Sequence, residues 1–140
     1  MIELNRDFDA LIKATDQCRD LMSGTDCLRV LEKPNNLMFT SGSNVGLAIF
    51  DYDKVYTVHW YFTARGREAI ALAQDMIGNL FDNYGAEVVR GLIKTKDKAS
   101  RWACRQVGLK SYGLLMFPNN DENEIFILTK QEYNEKKRNI

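Results

Sequence analysis

The chain contains few of the residues that build disulfide frameworks, metal sites and rigid turns. It has one histidine, two prolines and three cysteines in 140 residues. Cys18, Cys27 and Cys104 form neither the even set of a disulfide framework nor a spacing that suits zinc. We therefore expect no metal site, and a reducing cytoplasmic setting is the simplest interpretation.

The chain also lacks an excess of charge of either sign and any long hydrophobic run. Lysine and arginine together number 19, as do aspartate and glutamate, so no overall charge draws the chain to nucleic acid or to an anionic membrane. No apolar run is long enough to span a bilayer, and the N-terminus has no signal-peptide pattern. We expect a soluble protein without a membrane partner, and nucleic acid is the least favoured partner.

One stretch departs from this balance of charge. Between Arg90 and Lys110 there are seven cations against the single carboxylate of Asp97. Lys98, Arg101 and Arg105 follow the spacing i, i+3, i+7, which places them on one face of a helix. Two interpretations stay open for this face: a solvated surface, or a contact with an anionic ligand or an acidic partner.

The residues that are present indicate one domain, 1–140, large enough to bury a core. Their periodicities predict an α/β (mixed α+β) fold with a central mixed sheet of six to seven strands and helices on both faces. The strand–helix–strand order over residues 55–93 predicts a parallel pair of strands. Strands are predicted at residues 2–4, 37–40, 45–50, 55–62, 88–93, 112–117 and 124–128, and helices at 7–22, 66–84, 98–107 and within 129–140.

The most informative segment is the turn at residues 65–69, Arg-Gly-Arg-Glu-Ala, between an aromatic strand and a long amphipathic helix. The first N–H groups of a helix have no partner within the helix, and with the positive end of its dipole they form an anion site. Arg65 and Arg67 add two cations at this point. We interpret the turn as a site for a phosphate or pyrophosphate. The competing interpretation is an ordinary turn with solvated cations.

The order of elements, this turn and the segment 97–109 together resemble the GCN5-related N-acetyltransferase (GNAT) superfamily. The family signature is a Gln/Arg-x-x-Gly-x-Gly/Ala turn, then a strand, an Asn, a helix and a Gly-Phe pair. Here the turn is Thr-Ala-Arg-Gly-Arg-Glu-Ala at 63–69, and the closing pair is Gly108-Leu109. The resemblance covers roughly residues 45–128. The chain is also similar to small phage-encoded acetyltransferase-like proteins, a group that includes head-assembly proteins.

The resemblance implies a domain that binds acetyl-CoA and transfers the acyl group to an amine on a small molecule or a protein. The turn and the helix start would hold the pyrophosphate, and the end of the preceding strand would pair with the pantetheine arm in a gap between two splayed parallel strands. A contact of the basic helix with the ribose phosphate is a further implication. The cofactor-binding residues implied in this way are Phe62, Thr63, Arg65, Gly66, Arg67, Glu68, Ala69, Asp97 and Arg101.

His59 and Tyr61 are the candidate catalytic residues, because the family lines its active site with this strand. His59 is the only histidine, and an unperturbed imidazole titrates near working pH, as a general base requires. Asp51 and Glu87 are weaker candidates for the base. The competing interpretation makes His59 a half-buried sheet residue, and it makes Tyr61, a possible acid, a packing residue.

Two further aromatic residues and one cysteine carry alternative interpretations. Tyr112 is another possible acid, with packing as the competing interpretation. Cys104 is either a reactive thiol or, more simply, a small buried apolar residue. Trp102 is predicted to lie in the core.

The chain departs from the family signature at three chemically important points. The turn lacks its second glycine, Asp97 replaces the usual Asn, and Cys104 stands where many members carry the tyrosine that protonates the departing thiolate. Leu109 in place of Phe changes only packing. These departures leave a second hypothesis open: a non-catalytic protein, such as a phage head-assembly or virion component in the host cytoplasm or virion, that uses the scaffold for protein contacts. A homodimer also stays open.

Overall fold

The computed structural model describes residues 2–4, 6, 9–11, 13 and 31–138. The predicted helix at 7–22 lies largely outside the described residues, as do Cys18 and Cys27. The elements with defined bounds are β1 (Glu3–Leu4), β2 (Leu37–Ser41), β3 (Asn44–Tyr52), β4 (Val55–Tyr61), α1 (Gly66–Asn83), β5 (Val88–Lys94), α2 (Lys98–Val107), β6 (Lys110–Met116), β7 (Glu122–Thr129) and α3 (Lys130–Arg138).

The seven strands form one mixed sheet in the order β1-β2-β3-β4-β5-β7-β6. Neighbouring strands are antiparallel except β4 and β5, which are parallel and joined through α1. The predicted mixed α+β fold is therefore confirmed, as is the parallel strand–helix–strand unit at its centre. The last hairpin is longer than predicted, because β6 begins at Lys110 and β7 continues to Thr129.

The larger core lies between the sheet and α1. The apolar spacing of this segment predicts that Ile70 and Tyr84 are buried with Ala73, Ile77, Leu80 and Phe81, but Ile70 and Tyr84 pack only partly buried at the edge of the core. Leu72 and Met76 are buried in their place, so the buried stripe is broader and rotated toward them. The buried residues of α1 are Leu72, Ala73, Met76, Ile77, Leu80 and Phe81.

A smaller core covers the opposite face of the sheet. Leu11 and Leu31, which are both helical, pack there against sheet residues. The sheet residues of this cluster are Met38, Val45, Leu47 and Tyr61. Helical residues thus lie on both faces of the sheet, as predicted.

Helix α2 is bounded by Asp97 and Gly108, the residue types expected at a helix start and a helix end. The Asp97 carboxylate accepts a hydrogen bond from the Ser100 amide at 3.1 Å, which caps the helix start. Gly108 ends the helix in the left-handed conformation, with a φ of 109°. The prediction that Trp102 lies in the core was wrong, since its side chain is 49% exposed. The helix buries Cys104 and Val107, and residue 102 points away from them.

Candidate functional site

The parallel pair at the centre of the sheet is joined at only one end. Strands β4 and β5 pair from Val55–Val88 to Thr57–Arg90, and within the continuous range 31–138 their pairing stops there. Beyond this point each strand stays in register with its other neighbour: β4 pairs with β3 as far as Tyr61, and β5 with β7 as far as Lys94. A gap therefore opens between residues 58–61 of β4 and 91–94 of β5.

A side-chain network fastens the closed end of this gap. Arg90 of β5 donates from Nε to the Thr57 hydroxyl at 3.0 Å and forms an ion pair with Asp51 at 3.1 Å. The Thr57 hydroxyl in turn donates to the Asp51 carboxylate. Asp51, one of the weaker candidates for a base, is thus engaged in joining three strands.

The turn between β4 and α1 is held by the neighbouring hairpin. The Asn44 carboxamide oxygen accepts from the Ala64 amide at 2.9 Å and from the Thr63 hydroxyl at 3.3 Å. The Ser43 and Thr63 hydroxyls lie 2.6 Å apart. Asn44 is a buried residue that the sequence analysis missed, because its role depends on a contact 20 residues away and no local pattern signals it.

The start of α1 is open to solvent. Arg65 precedes the helix and makes no side-chain cap, and its guanidinium donates back to the carbonyl oxygens of Phe62 at 2.9 Å and Ala64 at 3.3 Å. Gly66 has a φ of 59°, and a Cβ placed on it would meet no atom within 4 Å. Arg67 and Glu68 are exposed, and Arg67 forms no hydrogen bond or ion pair with any described residue. The geometry suits an anion at the helix start, with Arg67 as the available cation.

His59 lines an open cleft of about 470 Å³ on the sheet face where the gap opens. The cleft includes Leu92 and Lys94 of β5 and the loop between β6 and β7. Lys94 and Asp121 form an ion pair across it, with Nζ and Oδ2 3.2 Å apart. The sequence Pro-Asn-Asn-Asp at 118–121 predicts a turn between these strands, but no local pattern connects it with His59. The lining residues are His59, Leu92, Lys94, Phe117, Pro118, Asn119, Asp121 and Asn123.

The other candidate residues of the aromatic strand are buried. Tyr61 is 1% exposed and belongs to the smaller core, an environment that fits the packing interpretation. Phe62 belongs to the larger core, where its ring stacks 6.2 Å from that of Trp60. Both residues can therefore meet a ligand through their main chains rather than through their side chains.

Two arginines on the basic face of α2 share one buried carboxylate. Arg101 donates from Nε to Glu124 at 2.7 Å and from a terminal nitrogen to the Thr95 carbonyl at 2.8 Å. Arg105 pairs with the same carboxylate at 2.9 Å. Neither interpretation offered for this face describes Arg101 and Arg105, because both are held by a residue of β7, whereas Lys98 is exposed as a solvated surface requires. The guanidinium of Arg101 is engaged in this pair, and Asp97 is engaged in capping α2.

The pKa of Glu124 reflects these contacts. Burial raises the pKa of this carboxyl, but hydrogen bonds from Ser111 and Arg101, together with the charges of Arg105 and Arg101, bring the pKa below its ordinary value. Glu124 therefore stays ionised and links β6, β7 and α2.

Cys104 is a buried residue and not a reactive thiol. Its side chain is fully buried, and burial, reinforced by the charge of Glu124, raises the pKa of the thiol to about 12. Tyr112, by contrast, is 59% exposed on β6, so packing does not explain it. Neither residue lines the cleft around His59.

Most of the cations between Arg90 and Lys110 have a carboxylate partner from another element. Besides the pairs of Arg90, Lys94, Arg101 and Arg105, Lys110 pairs with Glu132 of α3 at 2.5 Å. The local excess of positive charge is therefore largely cancelled in the folded chain.

In the part of the chain that the structure describes, no cluster of three or more histidine, cysteine or acidic side chains is placed to hold a metal ion. No described helix combines the length and apolar character that crossing a bilayer requires.

Neither a protein-family model nor a curated protein matches the sequence. Solved acetyltransferases match the fold. A chimera of the Vibrio cholerae spermidine N-acetyltransferase SpeG and hSSAT is 10% identical, with a TM-score of 0.76 over 96% of this chain and 98% of that one. An aminoglycoside acetyltransferase in complex with coenzyme A and kanamycin is 9% identical, with a TM-score of 0.70 over 98% and 99%.

A GNAT-family acetyltransferase from Bacillus anthracis is also similar. It is 12% identical, with a TM-score of 0.68 over 94% of this chain and 95% of that one. Identities this low show a shared fold and nothing finer. The chain therefore has the GNAT fold that the resemblance implied.

Proposed function

We propose that the protein is an acetyl-CoA-dependent N-acetyltransferase whose single domain, 1–140, binds the cofactor and acetylates an amine. The observation that carries this proposal is the open start of α1 directly after β4, the strand that borders the gap with β5. The fold likeness supports it, because an aminoglycoside acetyltransferase of this fold has been crystallised with coenzyme A and with acetyl-CoA.

The residues at the gap fit the chemistry of the cofactor. A diphosphate needs amide donors and a cation, and the start of α1 offers both through Gly66 and Arg67. Arg65 keeps the turn in shape rather than reaching outward, because its guanidinium is bonded to the Phe62 carbonyl. The main chain at residues 61–63 is the segment that we propose pairs with the pantetheine arm.

His59 is the residue that we propose moves the proton. Acetyl-CoA supplies an acyl thioester, whose C–S bond breaks as the bond between the amine nitrogen and the carbonyl carbon forms. An alkylammonium acceptor gives up two protons in this reaction. His59 accepts one of these protons in the cleft. Overall, one proton protonates the departing thiolate and the other is released to solvent.

Calorimetric titration with acetyl-CoA tests the cofactor site. We expect saturable binding to the wild-type protein. The substitution Arg67→Gln should weaken binding about tenfold, because it removes a charge-assisted hydrogen bond worth about 1.5 kcal/mol. Lys96→Gln is the matched control, since Lys96 is an exposed cation outside the turn and should leave the affinity unchanged. Absence of heat at millimolar acetyl-CoA would rule the proposal out.

A non-catalytic role is the second candidate, and the burial of Cys104 favours it. The position that the resemblance gives to a thiolate-protonating tyrosine holds a thiol with no access to solvent. In such a protein the scaffold would serve protein contacts, as in head assembly, but none of the structural relatives named above is a virion protein. Release of free coenzyme A in the presence of an amine separates the two candidates.

A further inference from the structure

The cleft beside His59 has walls that restrict what can fill it. Leu92, Phe117 and Pro118 present apolar surface. The charged residues of the cleft, Lys94 and Asp121, lie 3.2 Å apart and cancel each other. The described lining of this open cleft is therefore largely apolar, and its ion pair adds no net charge.

One side chain in this cleft, that of Asn123, is buried and has no hydrogen-bond partner in the described part of the chain. Asn123 is 5% exposed, and its main chain is held between Lys94 of β5 and Leu115 of β6. Its carboxamide makes no hydrogen bond to any described residue. Among the described residues no fully buried side-chain nitrogen or oxygen lacks a partner, so the small exposed part of Asn123 includes its polar atoms. Asn123 lines the cleft and is paired with Lys94, another lining residue, so its side chain lies on the cleft face of the sheet.

The other buried polar side chains show that this is not the usual situation in the chain. Asn36 accepts from the Phe50 amide at 2.8 Å, and Asn44 is bonded to Ala64 and to the Ser41 carbonyl. Thr57 and Glu124 belong to the networks described above. A buried carboxamide has two donors and an acceptor to satisfy, and in Asn123 these are left to a ligand or to water in the cleft.

The charges of the cleft argue against an acceptor that carries several amines. A polycation gains affinity from several carboxylates, and the described residues that line this cleft include one, Asp121, which Lys94 already neutralises. A second ammonium group would be desolvated against Leu92, Phe117 and Pro118 without a counter-charge. One amine attached to an apolar body suits both the charges and the walls.

We propose that the cleft selects a primary monoamine with an apolar body and that the carboxamide of Asn123 binds and positions its amino group beside His59. This inference rests on the proposed acetyltransferase function. The carboxamide oxygen of Asn123 accepts a hydrogen bond from the amine N–H, and the apolar walls contact the rest of the acceptor.

Two amines that share a carbon chain test the selection. Pentylamine and 1,5-diaminopentane differ only in a second amino group, and release of free coenzyme A measures the acetylation of each. We expect kcat/KM to be at least tenfold higher for pentylamine. Equal values, or a preference for the diamine, would overturn the inference while leaving the acetyltransferase function intact.

Removal of the neutralising cation should shift this preference. In Lys94→Gln the Asp121 carboxylate loses its partner and can bind a second ammonium group. We expect the ratio of kcat/KM for diamine over monoamine to rise at least fivefold. The control is Lys96→Gln, which removes an exposed lysine two residues away and should leave the ratio unchanged. A ratio that stays unchanged in Lys94→Gln would contradict the charge argument.

The role of Asn123 has its own test. Asn123→Ala should raise KM for pentylamine about tenfold and leave the Kd for acetyl-CoA unchanged. If the residue were only structural, the substitution would lower the melting temperature and weaken acetyl-CoA binding as well. That outcome would remove Asn123 from the proposal.

A direct binding measurement separates this inference from the proposed function. If no amine is acetylated, pentylamine is titrated into ¹⁵N-labelled protein, and the side-chain NH₂ signals of Asn123 are followed by NMR. A saturable shift with pentylamine and a weaker one with 1,5-diaminopentane would support the cleft as a monoamine site even though the enzymatic proposal had failed. No shift with either amine would overturn the inference.

Discussion

At the scale of single residues, His59 is the side chain on which the proposed chemistry depends most. We expect His59→Gln to lower kcat by about 10²- to 10⁴-fold, the usual effect of removing a general base. The Kd for acetyl-CoA should stay within about twofold, because a base that acts on the acceptor contributes little to cofactor binding. Steady-state kinetics and calorimetry on the same preparation measure both quantities.

Glu135→Gln is the matched control for His59→Gln. Glu135 is exposed on α3 and accepts one long hydrogen bond, from Gln131 at 3.4 Å. A kcat of His59→Gln equal to that of the wild type would show that the proton passes directly to water, and it would return His59 to the competing interpretation of a half-buried sheet residue.

At the scale of elements, the start of α2 allows capping to be separated from cofactor binding. Asp97→Ala removes the carboxylate that bonds the Ser100 amide, and we expect the free energy of unfolding to fall by about 1 kcal/mol. Asp97→Asn keeps a capping oxygen and restores the residue of the family signature. Its stability should match the wild type, and its affinity for acetyl-CoA should be equal or higher.

Urea unfolding and calorimetry measure these two properties of the Asp97 variants. A loss of acetyl-CoA affinity in Asp97→Asn would mean that the carboxylate itself contacts the cofactor. That result would contradict our view that Asp97 acts through the helix start.

The elements that the sequence predicted correctly are those whose signals are local. Asp97 and Gly108 lie directly at the ends of α2, and the aromatic run before Gly66 lies within a single strand. The misplaced residues depend on distant contacts. The residue type of Trp102 predicts a core position, but the helix turns its side chain outward. The burial of Leu72 and Met76 has no local signal, because several apolar stripes fit the sequence of α1 equally well.

The residues of the candidate site also divide into those with a local sequence signal and those that depend on distant contacts. The turn at 65–69 and His59 could be proposed from the sequence, because a strand followed by a glycine and a helix is a local pattern. Asn123 and Asp121 could not, because they reach His59 only through the placement of β7 between β5 and β6. Arg101 and Glu124 are 23 residues apart in the sequence, and no local pattern in either segment predicts that they pair.

At the scale of the whole molecule, Glu124 links stability to pH. Its pKa is lowered in the folded chain, so the stabilisation that this carboxylate provides is complete above its unfolded pKa and is lost as the pH falls through its folded pKa. We expect Glu124→Gln to reduce the free energy of unfolding at pH 7 by about 1.5–3 kcal/mol, since it weakens hydrogen bonds between charged groups.

The pH profile of unfolding provides the check on Glu124. Below about pH 4.5 the wild type should lose stability more steeply than Glu124→Gln, because the variant has no carboxylate to protonate at this position. Some slope should persist in the variant, since the pKa of Glu132 is also lowered, chiefly by its hydrogen bond from Lys110. Parallel profiles for the two proteins would show that Glu124 does not govern acid sensitivity.

The short pairing between β4 and β5 also limits the number of hydrogen bonds between the two halves of the sheet. Within the sheet itself, three residue pairs and the Arg90 network join a half containing β1–β4 to a half containing β5, β7 and β6, and the larger core spans both halves. An elongated ligand with amide groups along its length could form hydrogen bonds with the main chains of both β4 and β5. It would then lie in the gap as an additional strand does. A ligand bound in this way would connect the two halves along the gap and stabilise the folded chain.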